Sequence, residues 1–178
     1  EPRAPQNRVP AFGHVDHHGI KPFYHYESES GGTRVAIETI TKKLSISDSA
    51  EYQRSRIAAE MADQIVNYRL KAMLNEPDTP FTDARISSGR YLRFVKSAEI
   101  TADCAPANWK EALASIEQAL RKALEHGFTA SEVKRAQKEY SSRLKQAVKG
   151  SSTRQSGHIA AQIIHHLNSE LVFQSPGQ

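Results

Sequence analysis

The order of elements along the 178-residue sequence predicts an α+β fold. Segments with a period of two are followed by segments with 3-and-4 spacing, and the two kinds are grouped rather than alternating. The predicted order is β-β-α-β-β-α-α-α, with a largely antiparallel sheet covered on one face by helices. Residues 1–20, which contain three prolines, are predicted to be a linker or boundary segment, and residues 21–178 a single domain.

Two strands open the predicted domain. Phe23–Ser28 is rich in aromatic residues, and Thr33–Thr41 is rich in β-branched residues, which suit a half-buried pleated surface. Gly31 and Gly32 lie between the two segments and permit a tight turn. A β-hairpin is therefore expected here.

A long helix is predicted over residues 48–74. Asp48 can cap its start, with Glu51 three residues on, and Pro77 and Pro80 follow its end. Its apolar stripe is wide, which predicts a well-buried helix. The stripe consists of Ile57, Ala58, Met61, Ala62, Ile65, Val66, Tyr68, Ala72 and Met73.

Two more strands are predicted over Phe81–Ser87 and Tyr91–Ala105, with Gly89 as the turn between them. The second strand has the clearest alternation in the chain, and this period of two predicts one face exposed to solvent. Its apolar face, which is interrupted by Lys96, consists of Leu92, Phe94, Ala98, Ile100, Ala102 and Cys104.

Three helices complete the predicted fold. Asn108 can cap the first, and Gly127 suits its C-terminal cap. Thr129 and Glu132 have the spacing of a capping box at the start of the second. The apolar residues of 159–167 indicate a last helix.

Composition and charge narrow the functional classes. No run of about 18 apolar residues is present, so no membrane span is predicted, and a single cysteine excludes an intramolecular disulfide. The net charge is +4, and residues 129–154, with seven basic and two acidic residues, alone carry +5. Because Tyr140 is the only aromatic residue of that segment, a solvated helix face or one complementary to an acidic partner is favoured, and a nucleic-acid-binding module is kept as an alternative.

Three groups of residues are candidates for a metal or catalytic site. His14–His18 (HVDHH) is the densest set of metal-ligating side chains, but its Pro-rich surroundings lack the rigid support that a zinc site needs. His165, His166 and Glu170 offer too few ligands on one helix face. Cys104 lies on an apolar strand face, where a thiolate is disfavoured. A metalloenzyme built on the HVDHH segment stays the weakest alternative.

A partial match to a zinc motif occurs at the end of the first of these three helices. Glu125 and His126 could close an H-x-x-E-H motif, which binds zinc through two histidines. The position that requires histidine is Lys122, whose ammonium has no lone pair to donate. The complete motif occurs nowhere in the sequence, so no catalytic or metal-binding residue is predicted and no cofactor is assigned to this chain.

Four short motifs, taken together, carry a resemblance. They are NYRL at Asn67–Leu70, DTPF at Asp78–Phe81, HGFT at His126–Thr129 with Glu132, and the pair Thr153–Arg154. Their order and spacing resemble the pitrilysin/insulinase family of zinc metallopeptidases. In particular, they are similar to the domain that follows the catalytic one in bacterial members.

This resemblance, which runs from about Tyr24 to the C-terminus, implies a role. Family members build homologous α+β domains around a peptide chamber, and one domain carries H-x-x-E-H and binds zinc. A chain without that motif is expected to be a non-catalytic domain that closes the chamber and packs on the catalytic domain of the same parent chain. Zinc then belongs to the parent, peptide is the substrate, and the periplasm is the implied compartment.

Arg85, Arg90 and Tyr91 are predicted to face the chamber, because they flank a strand turn and can meet peptide carbonyls. The alternative is that they are solvated turn residues. A second alternative for the whole chain is a stand-alone scaffold or interaction protein of the same fold. Because the sequence resembles a family domain that has lost its beginning, a sheet edge or an apolar face is expected to be uncovered.

Overall fold

Three strands and four helices make up the part of the chain that the computed structural model describes, which is residues 15, 18–42, 47–91, 95–169 and 171–177. The predicted α+β class is confirmed. In chain order the elements are β1 (Thr33–Lys42), α1 (Ala50–Met73), β2 (Asp83–Tyr91), β3 (Val95–Cys104), α2 (Trp109–His126), α3 (Ala130–Lys149) and α4 (Ser156–Ser169). Short 3₁₀ turns lie at Pro106–Asn108 and Ser151–Thr153.

The sheet is antiparallel and has the strand order β1-β3-β2. Ile100 in the central strand pairs with Ile37 on one side and with Ile86 on the other. Side chains alternate across a strand, so these three isoleucines lie on one face. Helices α1 and α2 pack on that face, as the prediction of a one-sided helical cover requires.

The core lies between this face and the two helices. Leu70, Ile100 and Ile116 are its largest fully buried side chains, one each from α1, β3 and α2. The opposite face of the sheet is polar. Thr101 on that face is nevertheless buried, because β3 is the central strand and Thr101 has a neighbouring strand on each side.

The predicted strand at Phe23–Ser28 is wrong. These residues adopt no strand, and Phe23, Tyr24 and Tyr26 are all exposed. Aromatic residues favour a strand only when they pack against a cross-strand neighbour, and no described strand pairs with these residues. Within the described residues the outer edge of β1 is therefore unpaired, as expected for an uncovered sheet edge.

The predicted turn at Gly89 is also wrong. Gly89 lies inside β2 and pairs with Ser97, and the last pair of the ladder is Tyr91 with Val95. Residues 92–94, which connect the two strands in the sequence, lie outside the described residues. Lys96 and Val95 of β3 pair with Arg90 and Tyr91, so the ladder extends past Gly89.

The N-cap of α1 lies one residue later than the predicted cap, Asp48. Ser49 is the N-cap, and its hydroxyl accepts a hydrogen bond from the amide of Tyr52. The carboxylate of Asp48 instead accepts a hydrogen bond from the Val172 amide at 2.7 Å. This bond joins the segment after α4 to the start of α1. Burial along α1 is limited to its second half, at Ile65, Val66 and Leu70.

The predicted C-terminal cap of α2 and the predicted capping box at the start of α3 are confirmed. Gly127 closes α2 with φ +65°, a value that glycine adopts without strain. Thr129 and Glu132 form the predicted capping box. Asn108 holds the N-cap position of α2, but its side chain makes no capping hydrogen bond. Among the described helices, none is both long and apolar enough to cross a bilayer.

Candidate functional site

The first predicted chamber residue, Arg85, lies on the open polar face of the sheet. It is exposed on β2 and pairs across the ladder with Thr101. Two residues along β3, Asp103 accepts two hydrogen bonds from Arg34, at 2.7 and 3.1 Å. These bonds lower the pKa of Asp103, and the charge of Arg85 lowers it further. Arg85 makes no hydrogen bond to a described residue, so its guanidinium can bind an incoming acceptor.

Arg90 lies on the other face. Side chains alternate along β2, so a residue five positions from Arg85 points towards the helices. Its guanidinium carbon lies 4.6 Å from the centre of the Tyr52 ring, and the side chain is half-buried. Burial lowers the pKa of Arg90, and the nearby charge of Asp48 partly offsets this effect. This arginine packs the start of α1 against the sheet.

Tyr91 is the last residue of β2, and its backbone pairs with Val95. The structure therefore places Arg85 on the open face of the sheet and Arg90 on the opposite face. That Arg85, Arg90 and Tyr91 face a peptide chamber stays a prediction.

The histidine groups are placed as follows. His14, Asp16, His17 and Glu170 lie outside the described residues, and His18 is exposed. His166 Nδ1 lies 2.7 Å from the Gln162 carbonyl oxygen, and its ring packs edge-on against those of His165 and Phe173. Within residues 15, 18–42, 47–91, 95–169 and 171–177, no group of three or more His, Cys, Asp or Glu side chains is arranged to hold a metal ion.

The zinc motif of the resembled family does not fit the donor set found here. Lys122, Glu125 and His126 lie in the last turns of α2 and are exposed. Glu125 faces Arg121 at 3.9 Å, so its carboxylate already has a cationic neighbour. Lys122 supplies no lone pair to an ion. No step of zinc chemistry can therefore be derived from these residues.

Cys104 is no better placed as a nucleophile. It is buried at the end of β3 and forms no disulfide. Burial raises the pKa of its thiol, and the charge of Asp103 raises it further. The thiolate, which is the reactive form, is thus disfavoured at neutral pH.

A polar site that the sequence did not predict lies where α1 meets α3. Glu139 accepts hydrogen bonds from Gln64 at 2.6 Å, from Arg135 at 3.0 Å and from the hydroxyl of Tyr68. Arg135 also stacks over the Tyr68 ring, 4.1 Å from its centre. The Tyr68 hydrogen bond is the main cause that lowers the pKa of Glu139, followed by Arg135.

A second contact between α1 and α3 is made by Arg69, the residue after Tyr68 on α1. Arg69 donates two hydrogen bonds to Glu132, at 2.7 and 2.9 Å, and a third to the Gly127 carbonyl at 3.0 Å. Its guanidinium also lies over the Phe128 ring, 5.1 Å from the centre. Together with the Glu139 cluster, this contact forms the α1–α3 junction. The junction ties the capping box of α3 to α1.

The second half of α1 also seals one edge of the sheet. The Asn67 side chain donates to the Ile86 carbonyl at 2.9 Å and accepts the Ile86 amide at 2.8 Å. Asp63 accepts the Ser88 amide at 2.8 Å. These side chains take the place of a neighbouring strand. A signal existed in the sequence, since Asp63 and Asn67 lie four residues apart beside the apolar stripe.

A concavity of about 410 Å³ opens beside the junction. It is lined by Glu60, Asp63, Gln64, Asn67, Tyr68 and Arg143. All six are polar, and several are already hydrogen-bonded to other protein groups. This surface can accept polar or charged groups, but it presents no nucleophile with a matching base.

Sequence comparisons give no relative. No protein-family model matches the sequence, and no curated protein matches it either.

Solved structures share the fold. The periplasmic protease PqqL from Escherichia coli aligns with a TM-score of 0.72 at 17% identity, over 84% of this chain and 16% of that one. The first half of the same protease aligns with a TM-score of 0.72 at 18% identity, over 84% of this chain and 32% of that one. A protein described as a predicted insulinase family protease from Yersinia pestis aligns with a TM-score of 0.66 at 13% identity, over 82% of this chain and 31% of that one.

This chain therefore shares the fold of one part of each of these proteases. It spans about a sixth of the complete PqqL chain and about a third of each of the other two.

Proposed function

We propose that this chain is a non-catalytic domain of a larger zinc metalloprotease of the insulinase type. It closes the peptide chamber and supports proteolysis by a separate domain that carries H-x-x-E-H. The observation that carries the proposal is the fold, since 84% of the chain aligns with a protease of which it covers only 16%. A piece of that size is typical of one domain in a multidomain enzyme.

The chemistry of the described residues supports a supporting role. The carboxylates of the α1–α3 junction are held by arginine, tyrosine and glutamine side chains, which leaves them poorly suited to activate water. The partial zinc motif at Glu125 and His126 has Lys122 where a histidine is required. Zinc would therefore be held by the catalytic domain of the parent, and this chain would form part of the wall of the peptide chamber.

The open face of the sheet is the surface that we assign to the chamber. It carries Arg85, whose guanidinium has no hydrogen-bond partner among the described residues, and the Arg34–Asp103 pair beside it. Charged donors and acceptors of this kind can bind the carbonyl and amide groups of an extended peptide. We also propose a periplasmic location, which the description of PqqL as a periplasmic protease supports.

The test compares the 178-residue chain with its parent. The parent protein, expressed from the complete reading frame, is expected to cleave a fluorogenic peptide and to lose that activity when a chelator removes zinc. Deletion of residues 21–178 should abolish cleavage, and the isolated chain should show neither cleavage nor stoichiometric zinc.

Two results would overturn the proposal. Cleavage by the isolated chain, abolished by a chelator and restored by zinc, would make this chain the enzyme. A reading frame that encodes no H-x-x-E-H domain would favour the stand-alone scaffold instead.

A further inference from the structure

Helix α3 changes character near its middle. The residues from Ser141 to Lys149 are all exposed, including two aliphatic side chains, Leu144 and Val148, which are 51% and 44% exposed. Together with Lys145 they line a shallow concavity of about 400 Å³. The five residues Ser141, Leu144, Lys145, Val148 and Lys149 are named here the basic patch.

The charge of this region has one sign. The sequence from Tyr140 to Ser169 contains four basic residues and no Asp or Glu. Lys145 and Lys149 make no ion pair with a described residue, whereas Arg135 in the first half of the same helix is paired with Glu139 at 3.0 Å. The cations of the patch therefore have no protein counter-charge within the described structure.

The spacing of the patch fits another helix. Leu144 and Val148 are four residues apart, so they lie above one another on one helix face. Lys145 and Lys149 form the adjacent row, also four apart. An apolar row flanked by charges of one sign is the pattern that selects a partner helix with the opposite charges beside its own apolar row.

We propose that the basic patch docks an amphipathic helix of a protein partner. The partner's aliphatic stripe packs on Leu144 and Val148, and its Asp or Glu residues meet Lys145 and Lys149. A membrane is a poorer occupant, because the patch has no aromatic residue and only two lysines. This docking surface is independent of the proposed protease role, since it rests on α3 alone.

The experiment uses the 178-residue chain and two synthetic helical peptides that share a leucine stripe. One peptide carries glutamate beside the stripe and the other carries lysine. Fluorescence anisotropy should show binding of the glutamate peptide only. The double substitution Lys145→Glu and Lys149→Glu should weaken that binding by about tenfold or more and favour the lysine peptide.

Two further variants distinguish the patch from general charge. Leu144→Ser with Val148→Ser should abolish binding and keep the circular dichroism spectrum, because both side chains are exposed. The control pair Lys71→Glu and Lys122→Glu makes the same change in net charge on exposed residues of α1 and α2, and it should bind the glutamate peptide nearly as well as the unmodified chain does.

The remaining outcomes each overturn the proposal. These are no binding of the glutamate peptide, equal binding of both peptides, or an equal loss in the control pair. Vesicles of phosphatidylglycerol that bind through Lys145 and Lys149 while the peptide does not would assign the patch to a membrane. A dimer in sedimentation velocity that Leu144→Ser with Val148→Ser makes monomeric would assign it to a second copy.

Discussion

The two halves of α3 have similar apolar spacing and opposite surroundings. The first half is joined to α1 at the α1–α3 junction, where Glu132 and Glu139 receive hydrogen bonds from three α1 side chains. The second half, from Ser141 to Lys149, contains no buried residue. An amphipathic pattern therefore determines which side of a helix can pack, whereas polar partners on a neighbouring helix mark the length over which it does pack.

The largest expected difference is in stability: truncating a leucine of α1 beside the junction should cost far more than truncating one in the second half of α3. Leu70 follows Arg69 on α1 and is completely buried, so Leu70→Ala should lower the free energy of unfolding by about 2–5 kcal/mol. The same substitution at Leu144, which is half exposed, should change it by no more than about 0.5 kcal/mol. Urea denaturation of both variants measures the difference.

A comparable loss in both variants would show that the second half of α3 is packed in the 178-residue chain. The contrast between the two halves would then be wrong. An effect of Leu144→Ala only when a partner is present would instead agree with the proposed docking surface.

The sequence predicted α3 better than it predicted the contacts of α3. The capping box at Thr129 follows from local chemistry, because an N-cap hydroxyl and a glutamate three residues on satisfy each other whatever surrounds them. The pairing of Arg69 with Glu132 joins residues far apart in the sequence, and no local pattern specifies it. The strand predicted at Phe23–Ser28 is wrong for a related reason. Its aromatic residues have a high β-propensity, but no described strand pairs with them.

The two glycines that flank α3 offer a second test. Gly127 precedes the junction with φ +65° and ψ −143°, a conformation that a side chain disfavours, so Gly127→Ala should cost about 1–3 kcal/mol of stability. Gly150 follows the basic patch with φ −83°, and a Cβ there would meet the Gln146 carbonyl oxygen at an ordinary 3.5 Å. Gly150→Ala should therefore be nearly neutral in thermal unfolding. Equal costs at both ends would contradict the assigned backbone conformations.

The candidate site was predictable only in part. The absence of H-x-x-E-H is visible in the sequence, and so is the one polar face of β3 on which the chamber assignment rests. The placement of Arg90 against Tyr52 required the strand register, because the expected turn at Gly89 lies two residues before the end of β2. A shift in a turn changes which residues flank it, so a site inferred from the turn changes with it.

The smallest expected effect concerns the charge at the junction. Hydrogen bonds from Arg69 are the main cause that lowers the pKa of Glu132 from 4.5 to about 2, with the Thr129 amide as the next cause. A carboxyl whose pKa is lower in the folded state stabilises the fold above its unfolded pKa and loses that contribution as the pH falls. Glu132→Gln should therefore destabilise the chain by about 1 kcal/mol at pH 7, and this difference should shrink as the pH falls from 4.5 to about 2.

Urea unfolding of the unmodified chain and of Glu132→Gln at several pH values measures this convergence. Glu117→Gln is the matched control, because it removes an exposed ion pair with Arg121 on α2, which contributes little. Parallel pH curves for the unmodified chain and Glu132→Gln would mean that the Arg69 contact adds nothing beyond the neutral hydrogen bonds of the capping box. The junction would then be held by Glu139 and its partners, about two turns after Glu132 along α3.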